Sequence, residues 1–150
     1  MFYLHGKIIE DQGIPAVTPE FGTYEYEAIW NKLSNHGFTI ISEQIPKNSD
    51  ETKYATRVAG QITELLNADV PAKNIIVVGA SKGAGITIAI SNILANQKLN
   101  YVLLGTCDFE TIQFHRINRA TLIHESDERI VLTHRPTELT ITPVSHIIPL

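Results

Sequence analysis

A serine stands between two glycines in the run Gly79-Ala80-Ser81-Lys82-Gly83. Four apolar residues, 75–78, precede this run and are typical of a buried strand, while the long apolar segment that begins at Ala84 predicts a helix. In so tight a strand–turn–helix the tip residue takes a sparsely populated backbone conformation, and the residues two positions away come so close that they must be small. The serine oxygen then projects above the sheet, where the free N–H groups of the helix start also point. These residue types at this spacing predict a nucleophilic serine.

This G-x-S-x-G pattern resembles the nucleophile elbow of α/β-hydrolases, with Gly79 and Gly83 as the small elbow residues. The resemblance covers nearly the whole chain, from His5-Gly6 after the first predicted strand to His146, and it is to a small member without a cap segment. It implies hydrolysis of a small ester or thioester through an acyl-enzyme intermediate on Ser81.

The rest of a catalytic triad follows the serine in the chain. A serine hydroxyl is a poor nucleophile until a base takes its proton, and that base is usually a histidine oriented by a carboxylate. In α/β-hydrolases the order is serine, acid, histidine, and this chain offers Ser81, Asp127 and His146, each after a predicted strand. We therefore assign Asp127 as the orienting acid and His146 as general base and acid. Asp108 is an alternative acid, and His134, in a polar loop, is an alternative base.

The resemblance also implies an oxyanion hole, which requires backbone N–H groups aimed at the developing charge. One donor is the N–H of Lys82, directly after the serine. The second comes from the loop that follows the early His-Gly pair, where the N–H of Lys7, or alternatively that of Ile8, is the donor. The side chain of Lys82 places a cation at a helix N-terminus, against the helix dipole. We hypothesise that this cation attracts an anionic substrate group; the alternative is a solvated side chain.

Three other interpretations of this stretch are open. Ser81 could simply cap the following helix. The run from Gly79 to Gly85 also resembles the glycine-rich turn of short-chain dehydrogenases, which binds a dinucleotide pyrophosphate. That turn follows the first strand of its family, whereas earlier strands precede this one. The family's Tyr-x-x-x-Lys is also absent, because the residue four positions after Tyr101 is Gly105 and no other tyrosine lies downstream. The third interpretation is a catalytically inactive hydrolase-like scaffold that binds a ligand or a partner chain, because helices of the family fold are missing from the sequence.

An alternation of strands and helices positions these residues. We expect strands at 2–4, 38–42, 75–78, 101–105, 120–124 and 137–141, helices at 23–36, 51–67 and 83–97, a weaker helix at 108–118, and a loop over 7–21. This pattern predicts one α/β domain over residues 1–150, with a mostly parallel sheet of about six strands in a three-layer αβα arrangement, like a minimal α/β-hydrolase. Functional groups are expected at the carboxyl ends of the strands.

Composition bears on partners and location. A net charge of −4 with scattered basic residues gives no reason to expect nucleic acid or a membrane surface as a partner. No apolar run reaches the ~18 residues of a membrane span. The single cysteine is compatible with a reducing cytoplasm, and the histidines lack the spacing of metal ligands, so we expect neither metal nor cofactor. The expected partner is a small ester substrate. Self-association is also an expectation, because the missing helices would leave apolar sheet surface uncovered.

Overall fold

The computed structural model describes residues 1–20, 22–105, 119–123 and 129–133, the last two ranges as backbone only. The helices are α1 (Lys7–Gln12), α2 (Tyr26–Asn35), α3 (Glu51–Asn67) and α4 (Lys82–Leu94), with a 3-10 turn at Ala72–Asn74. The strands are β1 (Phe2–Leu4), β2 (Ala16–Thr18), β3 (Gly22–Tyr24), β4 (Ile76–Ala80), β5 (Asn100–Leu104), β6 (Arg119–Ile123) and β7 (Arg129–Thr133).

The main sheet has the strand order β1-β4-β5-β6-β7. Neighbouring strands from β1 to β6 run parallel, and β7 is antiparallel to β6. Strands β2 and β3 form a separate antiparallel hairpin. The prediction of an α/β chain with a mostly parallel sheet is thus confirmed, with five described strands in the main sheet. In the described part of the chain, no helix has the length and apolar character that a membrane crossing requires.

The short strand β1 contributes to both apolar cores. Successive side chains of a strand point to opposite faces, so Phe2 and Leu4 pack in the core that contains α3 and α4. Tyr3 packs in the other core, with Ile9 of α1 and Tyr26 of α2. Residues of α3 and α4 thus pack in one core, and residues of α1 and α2 in the other.

Helix α3 has the bounds that its apolar stripe predicts. Its buried residues include Tyr54, Val58 and Ile62, which are spaced by four and line one face. The carboxylate of Asp50 accepts a hydrogen bond from the N–H of Lys53 at 2.8 Å and so caps the helix N-terminus. Local sequence alone was sufficient to define this element, which packs against α4 beside the predicted elbow.

The predicted loop over residues 7–21 was wrong. It contains helix α1 and strand β2, and the hairpin with β3 occupies residues where helix α2 was expected to start. Helix α1 has six residues, less than two turns, so it is too short to show a helical period. Burial of Ile9 against the sheet holds it in place. Helix α2 therefore begins at Tyr26 rather than at residue 23, and Glu25 is its N-cap.

The predicted strand over residues 38–42 was also wrong. This segment makes a single parallel bridge, between Ile41 and Phe2. The N–H of Tyr3 donates to the carbonyl of Ile41 at 3.0 Å, and the N–H of Ile41 donates to the carbonyl of Met1 at 2.8 Å. Only one residue aligns with β1, so the segment covers the edge of that strand without extending the sheet.

The remaining differences between predicted and observed elements lie in the second half of the chain. Helix α4 ends at Leu94 rather than residue 97, because Ala95 adopts a left-handed conformation with φ 46°. Strand β7 was not predicted, whereas β6 lies one residue from the predicted strand at 120–124. The predicted helix at 108–118 and strand at 137–141 lie outside the described residues.

Candidate functional site

Ser81 lies where β4 turns into α4, and its backbone is strained. Its φ of 51° and ψ of −116° fall in a region that non-glycine residues rarely adopt. Its N–H donates to the carbonyl of Leu104 at 2.9 Å, and its own carbonyl accepts from the N–H of Ala84 at 2.8 Å. These bonds hold the turn in its unfavourable conformation, and the residue is exposed to solvent. The predicted conformation of the tip residue is confirmed.

The side chain of Ser81 does not cap the helix that follows it. Ser81 occupies the N-cap position of α4, but its hydroxyl makes no capping hydrogen bond. An N-cap serine normally has extended backbone dihedrals and accepts a hydrogen bond from the second or third helical N–H. The interpretation of Ser81 as a simple helix cap is therefore wrong.

Gly79 and Gly83 have no room for side chains. A Cβ at Gly79 would overlap the carbonyl of Gly83 and the hydroxyl of Thr87. A Cβ at Gly83 would overlap the carbonyl group of Leu4, lying 2.6 Å from its carbon, and would lie 2.9 Å from the carbonyl oxygen of His5. Gly79 thus lets α4 approach its own strand, and Gly83 lets α4 pack against the end of β1. The predicted need for small residues at both positions is confirmed.

The segment that follows β1 passes directly beside the elbow. Strands β1 and β4 are parallel neighbours, so their carboxyl ends meet at one edge of the sheet. A Cβ built on Gly6 would lie 3.4 Å from Cβ of Ser81 and 3.9 Å from its Oγ. The structure therefore brings the predicted His5-Gly6 segment next to the serine.

His5 fixes the peptide group between Gly6 and Lys7. Its buried ring accepts a hydrogen bond at Nε2 from the N–H of Ile45, at 2.7 Å. Nδ1 must then carry the proton, and it donates to the carbonyl of Gly6 at 2.8 Å. Because the C=O and N–H of a planar trans peptide point in opposite directions, this bond directs the N–H of Lys7 away from the ring.

Both ring nitrogens of His5 are occupied, so this histidine does not serve as the general base. Burial lowers the pKa of His5, although its hydrogen bond to the carbonyl of Gly6 acts in the opposite direction. The ring is consequently neutral. Sequence analysis placed His5 only at the end of a strand and did not predict that its ring fixes the peptide group between Gly6 and Lys7. The adjacent glycine was the feature of the sequence that could have indicated this role.

The side chain of Lys82 is held inside the protein. Its Nζ lies 2.6 Å from Oε2 of Glu10 and donates to the carbonyl of Ser49 at 3.0 Å. The two side chains are 12% and 1% exposed. Burial by itself raises the pKa of Glu10, but the adjacent ammonium group of Lys82 brings that pKa below its ordinary value.

Glu10 is therefore an ionised carboxylate that pairs with Lys82. The solvated alternative for Lys82 is wrong, because its side chain is buried and paired. The hypothesis that it attracts an anionic substrate group stays a prediction, against which the pairing with Glu10 argues. Sequence analysis missed Glu10 because nothing in the pattern of its neighbours indicates a buried carboxylate. The only indication of an unusual environment in the sequence was the position of a cation, Lys82, at the N-terminus of a helix, where the helix dipole disfavours it.

Two helices begin near Ser81, and their first residues are the predicted oxyanion donors. Helix α4 starts at Lys82 and helix α1 at Lys7. Across residues 1–20 and 22–105, neither of these two N–H groups has a hydrogen-bond acceptor, as is usual for the first residues of a helix. Their use as an oxyanion hole stays a prediction, as does the alternative donor Ile8.

The predicted acid and base lie in the part of the chain that follows residue 105. Asp127 and His146 lie outside the described residues, as do the alternatives Asp108 and His134, and their roles stay predictions. The described part of the chain contains no group of three or more histidine, cysteine, aspartate or glutamate residues that could hold a metal ion.

No family model, curated protein or solved structure matches this chain.

Proposed function

We propose that this chain is a serine hydrolase with a small, cap-less α/β-hydrolase-like fold, and that Ser81 is its nucleophile. The observation that carries the proposal is the exposed serine in a strained conformation, with φ 51° and ψ −116°, at the junction of β4 and α4. A residue that only started a helix would relax to extended dihedrals. Strain of about 1–3 kcal/mol persists where the surrounding structure enforces it, and such residues cluster at active sites.

The surroundings of Ser81 support the same function. The elbow lies at the carboxyl ends of parallel strands, where α/β proteins place their functional groups. The His5-Gly6 segment follows the neighbouring strand and contacts the elbow. The N–H groups of Lys82 and Lys7 are candidates to bind an oxyanion because neither donates to an acceptor among the described residues.

The proposed reaction is hydrolysis of a small ester or thioester. Oγ of Ser81 attacks the carbonyl carbon while the base, His146 oriented by Asp127, takes the hydroxyl proton. The negative charge that develops on the carbonyl oxygen is stabilised by the backbone donors. The C–O or C–S bond then breaks, the alcohol or thiol leaves with the proton from the base, and an acyl group remains on Ser81. Water attacks this acyl-enzyme, releases the carboxylic acid and restores the serine.

Charges near the site favour a neutral acyl group. Nζ of Lys82 is paired with buried Glu10. Nζ of Lys7 donates to the two carboxylate oxygens of Asp11, at 2.6 and 2.8 Å. Both lysines beside the elbow thus have their charge compensated by a carboxylate of α1, which leaves neither as an anchor for an anionic acyl chain.

Labelling with a fluorophosphonate probe tests the proposal, because such probes react with activated serines. We expect one adduct by intact mass, mapped to Ser81, which Ser81→Ala abolishes. Ser34→Ala, at an exposed serine in α2, is the matched control and should label like the wild type. If folded wild-type protein forms no adduct, the hydrolase proposal fails and the inactive scaffold replaces it.

The same probe identifies the base and the acid. General base catalysis contributes on the order of 10²–10⁴-fold, so His146→Ala should slow labelling within that range while His134→Ala leaves it nearly unchanged. Asp127→Asn and Asp108→Asn distinguish the two candidate acids in the same way. Slower labelling in His134→Ala or Asp108→Asn instead would move the assignment to the alternative residue.

A further inference from the structure

The buried ion pair of Glu10 and Lys82 joins the two segments that carry the proposed oxyanion donors. Lys82 is the first residue of α4 and supplies one donor N–H itself. Glu10 lies in α1, about one turn after Lys7, which supplies the other. The contact of 2.6 Å between Nζ and Oε2 therefore spans the space between the two helix starts.

The same pair also contacts the loop before α3. Nζ of Lys82 donates at 3.0 Å to the carbonyl of Ser49, the residue directly after Asn48. Asn48 has a left-handed φ of 61°, so the loop is bent at the point where it meets the pair. One buried contact thus connects α1, α4 and the loop of residues 46–50.

Helix α1 requires such a contact to keep its place. It has six residues, and an isolated helix of that length is not stable in water. Its N-cap residue, Gly6, provides no side-chain capping hydrogen bond, and no basic residue lies in its last turn. Its position must therefore come from tertiary contacts, which include the burial of Ile9, the ion pair of Glu10 and two hydrogen bonds between the side chain of Gln12 and the backbone of Val17.

A buried ion pair is poorly suited to a purely stabilising role. Desolvation of the two charges can exceed their attraction, so neutral or apolar replacements of a whole pair are often tolerated, whereas loss of one partner is strongly destabilising. An apolar contact would constrain the orientation of α1 less than a charged contact does. The ion pair is therefore better suited to orienting α1 than to stabilising the fold.

We propose that the Glu10–Lys82 ion pair positions the start of α1 against the start of α4, and so holds the N–H groups of Lys7 and Lys82 at a fixed separation around Ser81. The catalytic consequence rests on the proposed hydrolase function, whereas the structural part does not. Glu10 and the side chain of Lys82 are positioning groups, since they act through the backbone donors.

Comparison of single and double variants tests this inference. Glu10→Gln and Lys82→Met each leave one partner of the pair, and we expect a lower Tm and slower fluorophosphonate labelling of Ser81. Since misplacement by about 1 Å can cost on the order of a hundredfold, the rate should fall tenfold to a hundredfold. The double variant carries no buried charge at the pair, so its Tm should recover toward the wild type while its labelling rate stays low.

The exposed pair of Lys7 and Asp11 provides the matched control, because it lies on the same helix with a contact of the same length. Asp11→Asn should leave the labelling rate within twofold of the wild type. A double variant at Glu10 and Lys82 that regains both Tm and labelling rate would overturn the positioning role. So would an equal loss of rate in Asp11→Asn.

Amide hydrogen exchange separates this inference from the proposed function. The N–H of Gly13 donates to the carbonyl of Ile9 at 2.8 Å and reports on the last turn of α1. In the double variant this amide should exchange at least tenfold faster than in Asp11→Asn. If wild-type protein is not labelled but exchange accelerates, the hydrolase proposal fails and the positioning contact stands; unchanged exchange overturns the contact itself.

Discussion

Replacement of Gly83 by alanine tests the packing that creates the elbow. The new Cβ would lie 2.6 Å from the carbonyl carbon of Leu4 and 2.9 Å from the carbonyl oxygen of His5, closer than the 3.0 Å below which real Cβ contacts are essentially never found. Both obstacles are backbone atoms, so no change of rotamer relieves the overlap. Helix α4 must move away from the end of β1.

The magnitude follows from two opposing effects. Overpacking costs typically 1–3 kcal/mol and occasionally more, and overlap with backbone atoms places Gly83→Ala at the upper end of that range or beyond. Alanine regains about 1 kcal/mol of helix propensity over glycine. We therefore expect the free energy of unfolding to fall by about 2–3 kcal/mol. The movement separates His5-Gly6 from Ser81, so fluorophosphonate labelling should slow about a hundredfold.

Urea denaturation followed by circular dichroism measures the first effect. With a slope of about 1–3 kcal/mol per molar urea, the midpoint should drop by roughly 1 M or more. Gly60→Ala is the matched control, since Gly60 is an exposed position within α3 and its Cβ would meet no atom within 4 Å. We expect that variant to gain about 0.5–1 kcal/mol. A Gly83→Ala protein as stable as the wild type would refute the packing argument.

Two further predictions concern the serine and the buried histidine. Ser81→Gly should be more stable than Ser81→Ala by about 1–2 kcal/mol in thermal or urea unfolding, because only glycine relieves the backbone strain at this position; equal stabilities would show that the turn is unstrained. Burial lowers the pKa of His5 from its ordinary 6.5, so below pH 6.5 the unfolded chain binds more protons at this residue and stability should fall as the pH drops. His5→Gln should make the urea midpoint less dependent on pH between pH 8 and pH 5. An unchanged pH dependence of the midpoint would contradict a neutral buried ring.

Local features of the sequence predicted the elements that depend on local interactions. The apolar stripe of α3 and the capping Asp50 all lie within residues 50–67, so the bounds of this helix follow from local sequence. The apolar run of β4 and the two glycines of the elbow likewise define a strand–turn–helix without reference to the rest of the chain. The parallel sheet followed from the alternation of such elements.

Elements that depend on tertiary contacts were not predictable in this way. Helix α1 is shorter than two turns and is held by burial of Ile9, so its own residues carry no helical period. Residues 38–42 have the composition of a strand, yet only Ile41 pairs with β1. Such a composition favours any half-buried extended segment, whether or not that segment joins a sheet.

Features of the site likewise divide into those that local sequence predicts and those that depend on tertiary contacts. The strained conformation of Ser81 and the close packing of its glycines follow from the motif. The hydrogen bond from Ile45 to His5 and the ion pair of Glu10 with Lys82 join residues far apart in the chain. No pattern of neighbouring residues indicates such partners, so they emerged only from the folded arrangement.

The pairing of β1 with β4 has a consequence for the order of folding. Phe2 pairs with Val77, and Gly83 packs on the carbonyl of Leu4, across all of α1, α2 and α3. Closing so long a loop is entropically costly, and nonlocal strand pairs form slowly. Helix α3 can form early from local contacts, whereas the strained turn at Ser81 is complete only after β1 has docked. We therefore expect the serine to gain its reactivity late in refolding, which makes it a reporter of the last step of chain closure.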